Sequence, residues 1–227
     1  MTDTASPEAQ ESPASSALRR GAAALQQSLS NAQVELLLQY LALLERWNRT
    51  YNLTAVRDPA QMVSRHLLDC LAVAPYVRGQ RAIDVGTGGG LPGIPLAILM
   101  PQRDFHLLDS NGKKTRFLFQ VKTALRLDNI AVHQARAESF RPEAAFDTVL
   151  SRAFAALPDM VSSCRHLVTA RGCFLAMKGA WPRRELEAVA ALCNTTAVHP
   201  LVVPGLDEQR HLVEMTLRQL DDTDLHW

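Results

Sequence analysis

Ala82-Ile83-Asp84-Val85-Gly86-Thr87-Gly88-Gly89-Gly90-Leu91-Pro92-Gly93-Ile94-Pro95 is the segment to which the rest of the chain can be referred. Ala82 to Val85 read as the end of a short buried strand and Gly86 to Gly90 as a tight turn. Pro92 suits the first position of a helix, where its missing N–H costs nothing. A strand, a glycine turn and a helix N-terminus bring backbone close to a ligand, because glycines carry no Cβ. The phosphate-binding pattern G-x-G-x-x-G fits in the register Gly88, Gly90, Gly93. That register starts three residues beyond Val85, late for a turn at the strand edge. The register starting at Gly86 follows the strand directly, but its third position is Leu91. An acid on the strand followed by alternating glycines, Asp84-x-Gly86-x-Gly88-x-Gly90, fits without strain.

The chain has 227 residues, enough for one sizeable core or one core and a small appendage. Its 47% hydrophobic and 21% charged residues are ordinary for a soluble globular protein. Cys70, Cys164, Cys173 and Cys193 show no CxxC spacing, and Cys164 with His166 finds no second half-site, so core thiols are expected and no metal. No apolar run approaches the ~18 residues of a membrane span. Asp3, Glu8 and Glu11 occupy an N-terminus without an apolar centre, which is not a signal peptide. A cytoplasmic protein with no membrane partner is expected, acting as a monomer. The net charge is +1, but both tails are acidic. With their six acids set aside, 24 basic residues face 17 acidic ones over residues 18–220, a balance that permits an anionic partner.

Residues 1–17, rich in Ser, Ala, Pro and Glu, read as a disordered tail. Residues 18–75 read as a helical cap. In it Val34, Leu37, Leu38, Leu41, Leu44 and Trp47 recur at helical spacing, and Asp58-Pro59-Ala60-Gln61 starts a further helix carrying Met62, Val63, Leu67, Cys70 and Leu71 on one stripe. Residues 76–227 read as the main domain. Strand-like runs fall at 81–85, 104–108, 130–133, 146–150, 172–177, 197–203 and 211–217, with helical stretches of about a dozen residues between the first five or six. This alternation predicts an α/β fold, a parallel sheet with helices on both faces. Pro204-Gly205-Leu206-Asp207 is too short for a crossover helix, so the last strand should run antiparallel to its neighbour.

The acid-and-glycine turn resembles motif I of class I S-adenosylmethionine-dependent methyltransferases, and parallel strands closed by one antiparallel strand are that class's arrangement. Asp109 ends the second strand, where a carboxylate accepts the hydroxyls of a ribose. S-adenosylmethionine and NAD both carry one, and an N-cap role is the alternative. Ala137 and Glu138 follow the third strand, where such enzymes present a backbone N–H and a polar side chain to adenine. Arg152, at the end of the fourth strand, suits a cofactor carboxylate or the substrate, or else a salt bridge. The segment Ser151-Arg152-Ala153-Phe154-Ala155 holds neither the Asn/Asp-Pro-Pro-aromatic motif of amine methylation nor a Pro-Cys nucleophile. Lys113, Lys114 and Arg116 border the strand ends, and Lys178 adds to them. They read as a solvated helix face or as a phosphate track. Arg65-His66 with Asp69 lies near an apolar stripe, where a packing role is the simpler reading.

Taken together, several segments resemble the RsmG (GidB) family. They are Tyr51-Asn52-Leu53-Thr54-x-Val56-Arg57-Asp58, Arg65-His66-x-x-Asp69, the glycine segment, Leu108-Asp109-Ser110 and Ser151-Arg152-Ala153-Phe154-Ala155, within a likeness from about Leu36 to Val213. The resemblance implies a bacterial methyltransferase that uses S-adenosylmethionine to modify N7 of guanine-527 (ribosomal numbering) in 16S rRNA, free or in a precursor of the small subunit. It implies cofactor contacts at Gly86, Leu91, Ala137, Glu138 and Arg152, to which the glycine turn and the second strand end add Gly88 and Asp109. Arg152 would also position the reactants, and no general base is expected because N7 carries no proton. Small-molecule methylation, NAD-dependent oxidoreduction and an RNA-binding module without activity are the rival readings.

Overall fold

The computed structural model describes residues 11–218. Seven strands form one sheet: β1 (Arg81–Val85), β2 (Asp104–Asp109), β3 (Ile130–Gln134), β4 (Phe146–Arg152), β5 (Val168–Lys178), β6 (Cys193–Pro200) and β7 (His211–Leu217). Their order is β3-β2-β1-β4-β5-β7-β6. The first five pair in parallel, and β7 inserts between β5 and β6 antiparallel to both. This is the α/β sheet expected from the sequence, with its antiparallel strand at the C-terminal end of the chain.

Side chains alternate across the sheet because successive Cβ atoms point to opposite faces. Phe105, Leu107, Leu150, Cys173, Leu175 and Met177 face one core; Ile83, Val85, Leu108, Val149, Phe174 and Ala176 face the other. Five helical segments cover the first face: α1 (Pro13–Ala24), α2 (Asn31–Tyr51), α3 (residues 59–71), α4 (Gly93–Leu99) and α5 (Gly112–Leu125). Helices α6 (Leu157–Cys164) and α7 (Arg183–Val189) cover the second. All four cysteines are free and buried.

Several elements differ in extent from the sequence pattern, β5 among them, which begins at Val168 rather than 172. Helix α1 begins at Pro13, ahead of Leu18, because the Ser12 hydroxyl accepts the Ser15 N–H and Pro13 opens the first turn. The acidic residues Asp3, Glu8, Asp221, Asp222 and Asp224 lie outside the described residues. Strand β6 spans Cys193–Pro200 rather than 197–203; the Leu201 N–H still bonds the Arg210 carbonyl in register with β7, and the chain then turns through the β6–β7 loop. Between β3 and β4 there is one 3-10 turn, Ala137–Ser139, in place of a dozen-residue helix; Pro142 bars a longer one.

Helix α2 is the main support of the glycine turn. A capping box starts it: Ser30 accepts the Gln33 N–H while the Gln33 side chain accepts the Ser30 N–H. Its buried residues are Val34, Leu37, Tyr40, Leu41 and Leu44. Fully buried Tyr40 donates its hydroxyl to the Gly89 carbonyl at 2.7 Å, which fastens the N-terminal helices to the turn. Tyr40→Phe should lower the unfolding free energy by about 1–3 kcal/mol in denaturant titrations, because it leaves that carbonyl buried without a donor. An unchanged midpoint would mean the hydrogen bond is replaceable.

Candidate active site

Strand β1 delivers Asp84 to the sheet centre, fully buried. Its Oδ2 accepts the Thr87 hydroxyl at 2.6 Å and the Gly93 N–H at 2.8 Å, while Oδ1 has no partner. The carboxylate therefore caps α4, and Pro92 stands one residue before that helix rather than at its first position. Gly86 and Gly93 show the steric demand of the turn. Gly86 sits at φ +65°, where a Cβ would lie 2.3 Å from the Phe154 ring; a Cβ at Gly93 would lie 2.3 Å from Leu107 and 3.0 Å from the Asp84 carboxylate. The turn leans over the end of β2: Gly86 and Thr87 donate to the Leu108 carbonyl, and Gly88 donates to Asp109 Oδ2 at 3.0 Å.

A cleft of about 250 Å³ opens beside this turn, at the C-terminal ends of the central strands. Gly86, Asp109, Ala137, Glu138, Ala153 and Phe154 line it. Asp109 is 6% exposed; each carboxylate oxygen takes one backbone N–H, from Asn111 and from Gly88, which leaves a lone pair on each for a further donor. Lys114 lies in the same wall, 3.7 Å from Asp109, so its charge is directed at this cleft. Lys113 and Arg116 are exposed, with no ion-pair partner among the described residues, and the exposed ring of Phe119 is on the same helix.

A second cavity, of about 400 Å³, meets the first at Ala153. Its wall includes Thr54, His66, Asp69, Arg152, Lys178 and Arg210. The middle of α3, Val63–Leu68, is wound as a π-helix, a local widening often found at functional sites, and it carries Arg65 and His66 into this wall. Asp69 receives Arg152 Nη1 on Oδ2 and Arg210 Nε on Oδ1, both at 3.2 Å. His66 Nε2 lies 2.9 Å from the Thr54 hydroxyl, and burial drives the imidazole down to about 4, so it is neutral at physiological pH. Lys178 donates to the Ala155 carbonyl and to Glu185, which also accepts the Leu157 N–H and so starts α6.

The sequence-identified residues thus divide. Gly86, Asp109, Ala137 and Glu138 line the first cleft, and Gly88 reaches it through Asp109. Leu91 is buried in the core beneath the turn. Arg152 and Lys178 line the second cavity. Sequence reasoning passed over Arg210, and gave Thr54 and Asp69 no role of their own. In the sequence, Thr54, His66 and Asp69 stand out only as members of segments that carry the family resemblance. Among the described residues no three His, Cys, Asp or Glu side chains form a metal-binding group, and no helix there is long and apolar enough to cross a membrane.

Comparison with known proteins adds to this geometry. Residues 33–213 match the family model described as GidB, rRNA small subunit methyltransferase G. A protein of Pseudomonas syringae pv. syringae named ribosomal RNA small subunit methyltransferase G is 55% identical, over 86% of this chain and 92% of its own length. One of the same name from Saccharophagus degradans is 50% identical, over 92% and 94%. Among solved structures, the glycopeptide N-methyltransferase MtfA complexed with S-adenosyl-L-homocysteine superposes with a TM-score of 0.58 at 12% identity, covering 67% of this chain and 90% of that one. The last likeness is one of fold.

Burial raises the Asp84 carboxyl to about 7. The folded state then holds this proton more tightly than the unfolded chain does. Between about pH 4 and 7 the group's contribution to stability is therefore lost as pH rises. Asp84→Asn cannot ionise, and its Tm relative to the parent protein should climb from about pH 4 to about pH 7 and level off above, by roughly 2–4 °C for each kcal/mol relieved. A difference constant across that range would put the carboxyl in the ordinary range.

Proposed function

Since the chain belongs to the rRNA small subunit methyltransferase G family, we propose that it transfers a methyl group from S-adenosylmethionine to N7 of a guanine in bacterial 16S rRNA, guanine-527 in ribosomal numbering. The observation that carries this reading is the pair of cavities meeting at Ala153. One is bordered by a glycine turn and a strand-end acid, the other by arginines and a lysine. Such a pair suits a nucleoside cofactor and a nucleobase held by a hydrogen-bonding wall, meeting at one point.

The residues of the first cleft fit the cofactor. A side chain at Gly86 would collide with Phe154, so backbone is what faces the cleft there. Asp109 keeps acceptor capacity for ribose hydroxyls. Ala137 and Glu138 line the same cleft and would meet the adenine. When bound, S-adenosylmethionine supplies an electrophilic methyl on a sulfonium, and its leaving group departs as a neutral thioether. N7 gains that methyl with its own lone pair, and the positive charge passes to the base.

Because N7 carries no proton, the protein has none to remove. Its work is to orient N7 toward the first cleft and to keep water out, which positioning alone achieves. His66, neutral at physiological pH, adds no cation beside a base that becomes one. The chain is read as a cytoplasmic monomer acting on 16S rRNA or on a precursor of the small subunit. RNA carrying 7-deazaguanosine at the target keeps the Watson–Crick edge and lacks the nucleophile. It should accept no methyl group; transfer to that nucleotide would show that the attacking atom is not N7.

Lys113 and Arg116 are free to follow the RNA backbone, whereas Lys114 is turned to the cleft. Reversing the charges of Lys113 and Arg116 together should weaken RNA binding and lower the log–log salt slope by about 0.7–0.9 for each phosphate no longer neutralised, with cofactor binding unchanged. An unaltered slope would make them a solvated helix surface.

A further inference from the structure

Resting on the guanine-N7 reading, we propose that Asp69, held between Arg152 and Arg210 in the wall of the second cavity, is the acceptor that reads the N1–H and N2–H of the target guanine. The order of groups along the cavity wall carries the assignment. Around a guanine ring the sequence from the nucleophile is N7, then O6, then N1 with N2. Ala153 lines both cavities, Arg152 adjoins it in the chain, and the Arg152 guanidinium reaches Asp69 at 3.2 Å. With N7 at Ala153, the carbonyl O6 meets the guanidinium of Arg152 and the two N–H donors meet the carboxylate.

The hydrogen-bond inventory leaves room for this. Each oxygen of Asp69 receives one arginine N–H, from Arg152 on Oδ2 and from Arg210 on Oδ1. A carboxylate offers about four lone-pair sites, so one on each oxygen stays open, which matches the paired N1–H and N2–H of guanine. Arg152 uses only Nη1 in its contacts with Asp69 and the Arg65 carbonyl, which leaves its other N–H groups for O6. Adenine presents a donor in place of O6 and no N–H at N1, so both partners reject it. The arrangement also favours the reaction. As N7 takes the methyl group the ring becomes cationic and N1–H more acidic, so its hydrogen bond to the carboxylate tightens toward the transition state. The two arginines fix the carboxylate from opposite sides: Arg152 ends β4 and Arg210 precedes β7.

The test compares single-turnover methylation of RNA carrying guanosine or inosine at the target, with cofactor saturating. Inosine keeps N7, O6 and N1–H and lacks only the 2-amino donor. The unsubstituted protein should methylate guanosine roughly ten- to a hundredfold faster, the effect of one hydrogen bond to a charged acceptor. Asp69→Asn should bring the ratio near one, chiefly by slowing guanosine, with S-adenosylmethionine affinity by calorimetry unchanged because Asp69 lies outside the first cleft. Asp69→Glu keeps a charge for both arginines but moves the carboxylate outward, and should lower the ratio in part; it decides the matter if Asp69→Asn binds cofactor poorly. Equal rates on the two RNAs in the unsubstituted protein, or a full ratio retained in a variant that binds cofactor normally, would reduce Asp69 to a structural salt bridge and overturn the proposal. Failure of the unsubstituted protein to methylate guanosine N7 would instead bring down the underlying reading, and this assignment with it.

Discussion

The carboxylate of Asp84 is the joint on which the first cleft turns. It sits at the centre of the sheet and binds the Thr87 hydroxyl and the Gly93 N–H through one oxygen. Strand, turn and helix α4 are thereby tied at a single atom. Burying a carboxyl here is unfavourable, and its raised proton affinity reports that. In return, the backbone from Gly86 to Gly90 is fixed where it bends over β2, and Gly88 is delivered to Asp109. A side chain at Gly93 would push the helix off this acid. The glycines and the acid are thus parts of one constraint.

The N-terminal helices are more than a cover for the sheet. Tyr40 of α2 binds the turn from outside, as Asp84 does from inside. Segment α3 supplies His66 and Asp69, while strand ends and the β6–β7 loop supply Arg152, Lys178 and Arg210. The second cavity therefore exists only where the N-terminal segment and the sheet meet. Its charges are largely internal: Arg152 and Arg210 share Asp69, and Lys178 is held by Glu185. Such a wall is rigid, so it suits recognition of a shape and a hydrogen-bond pattern better than loose attraction of an anion. In the proposed function, loose attraction falls to the exposed cations of α5.

The sequence alone determined the sheet, the antiparallel strand near the C-terminus, the glycine turn and the acid at the end of β2. These are legible because they rest on local periodicity, on glycine and proline chemistry, and on strand spacing. It set Lys113 and Arg116 on one helix face through their i, i+3 spacing but gave no destination for Lys114. Only the fold brings Lys114 to Asp109. Likewise Arg152 reads equally well as a cofactor contact, a substrate contact or a salt bridge. What places it opposite Asp69, 83 residues away in the chain, is the meeting of α3 with the end of β4. Thr54, Asp69 and Arg210 carry no pattern of their own, and they become a site only through long-range closure. Local regularities are written in neighbouring residues and can be read there. A cavity wall is a set of distant residues whose proximity depends on how every element between them packs, and that was decided by the tertiary structure.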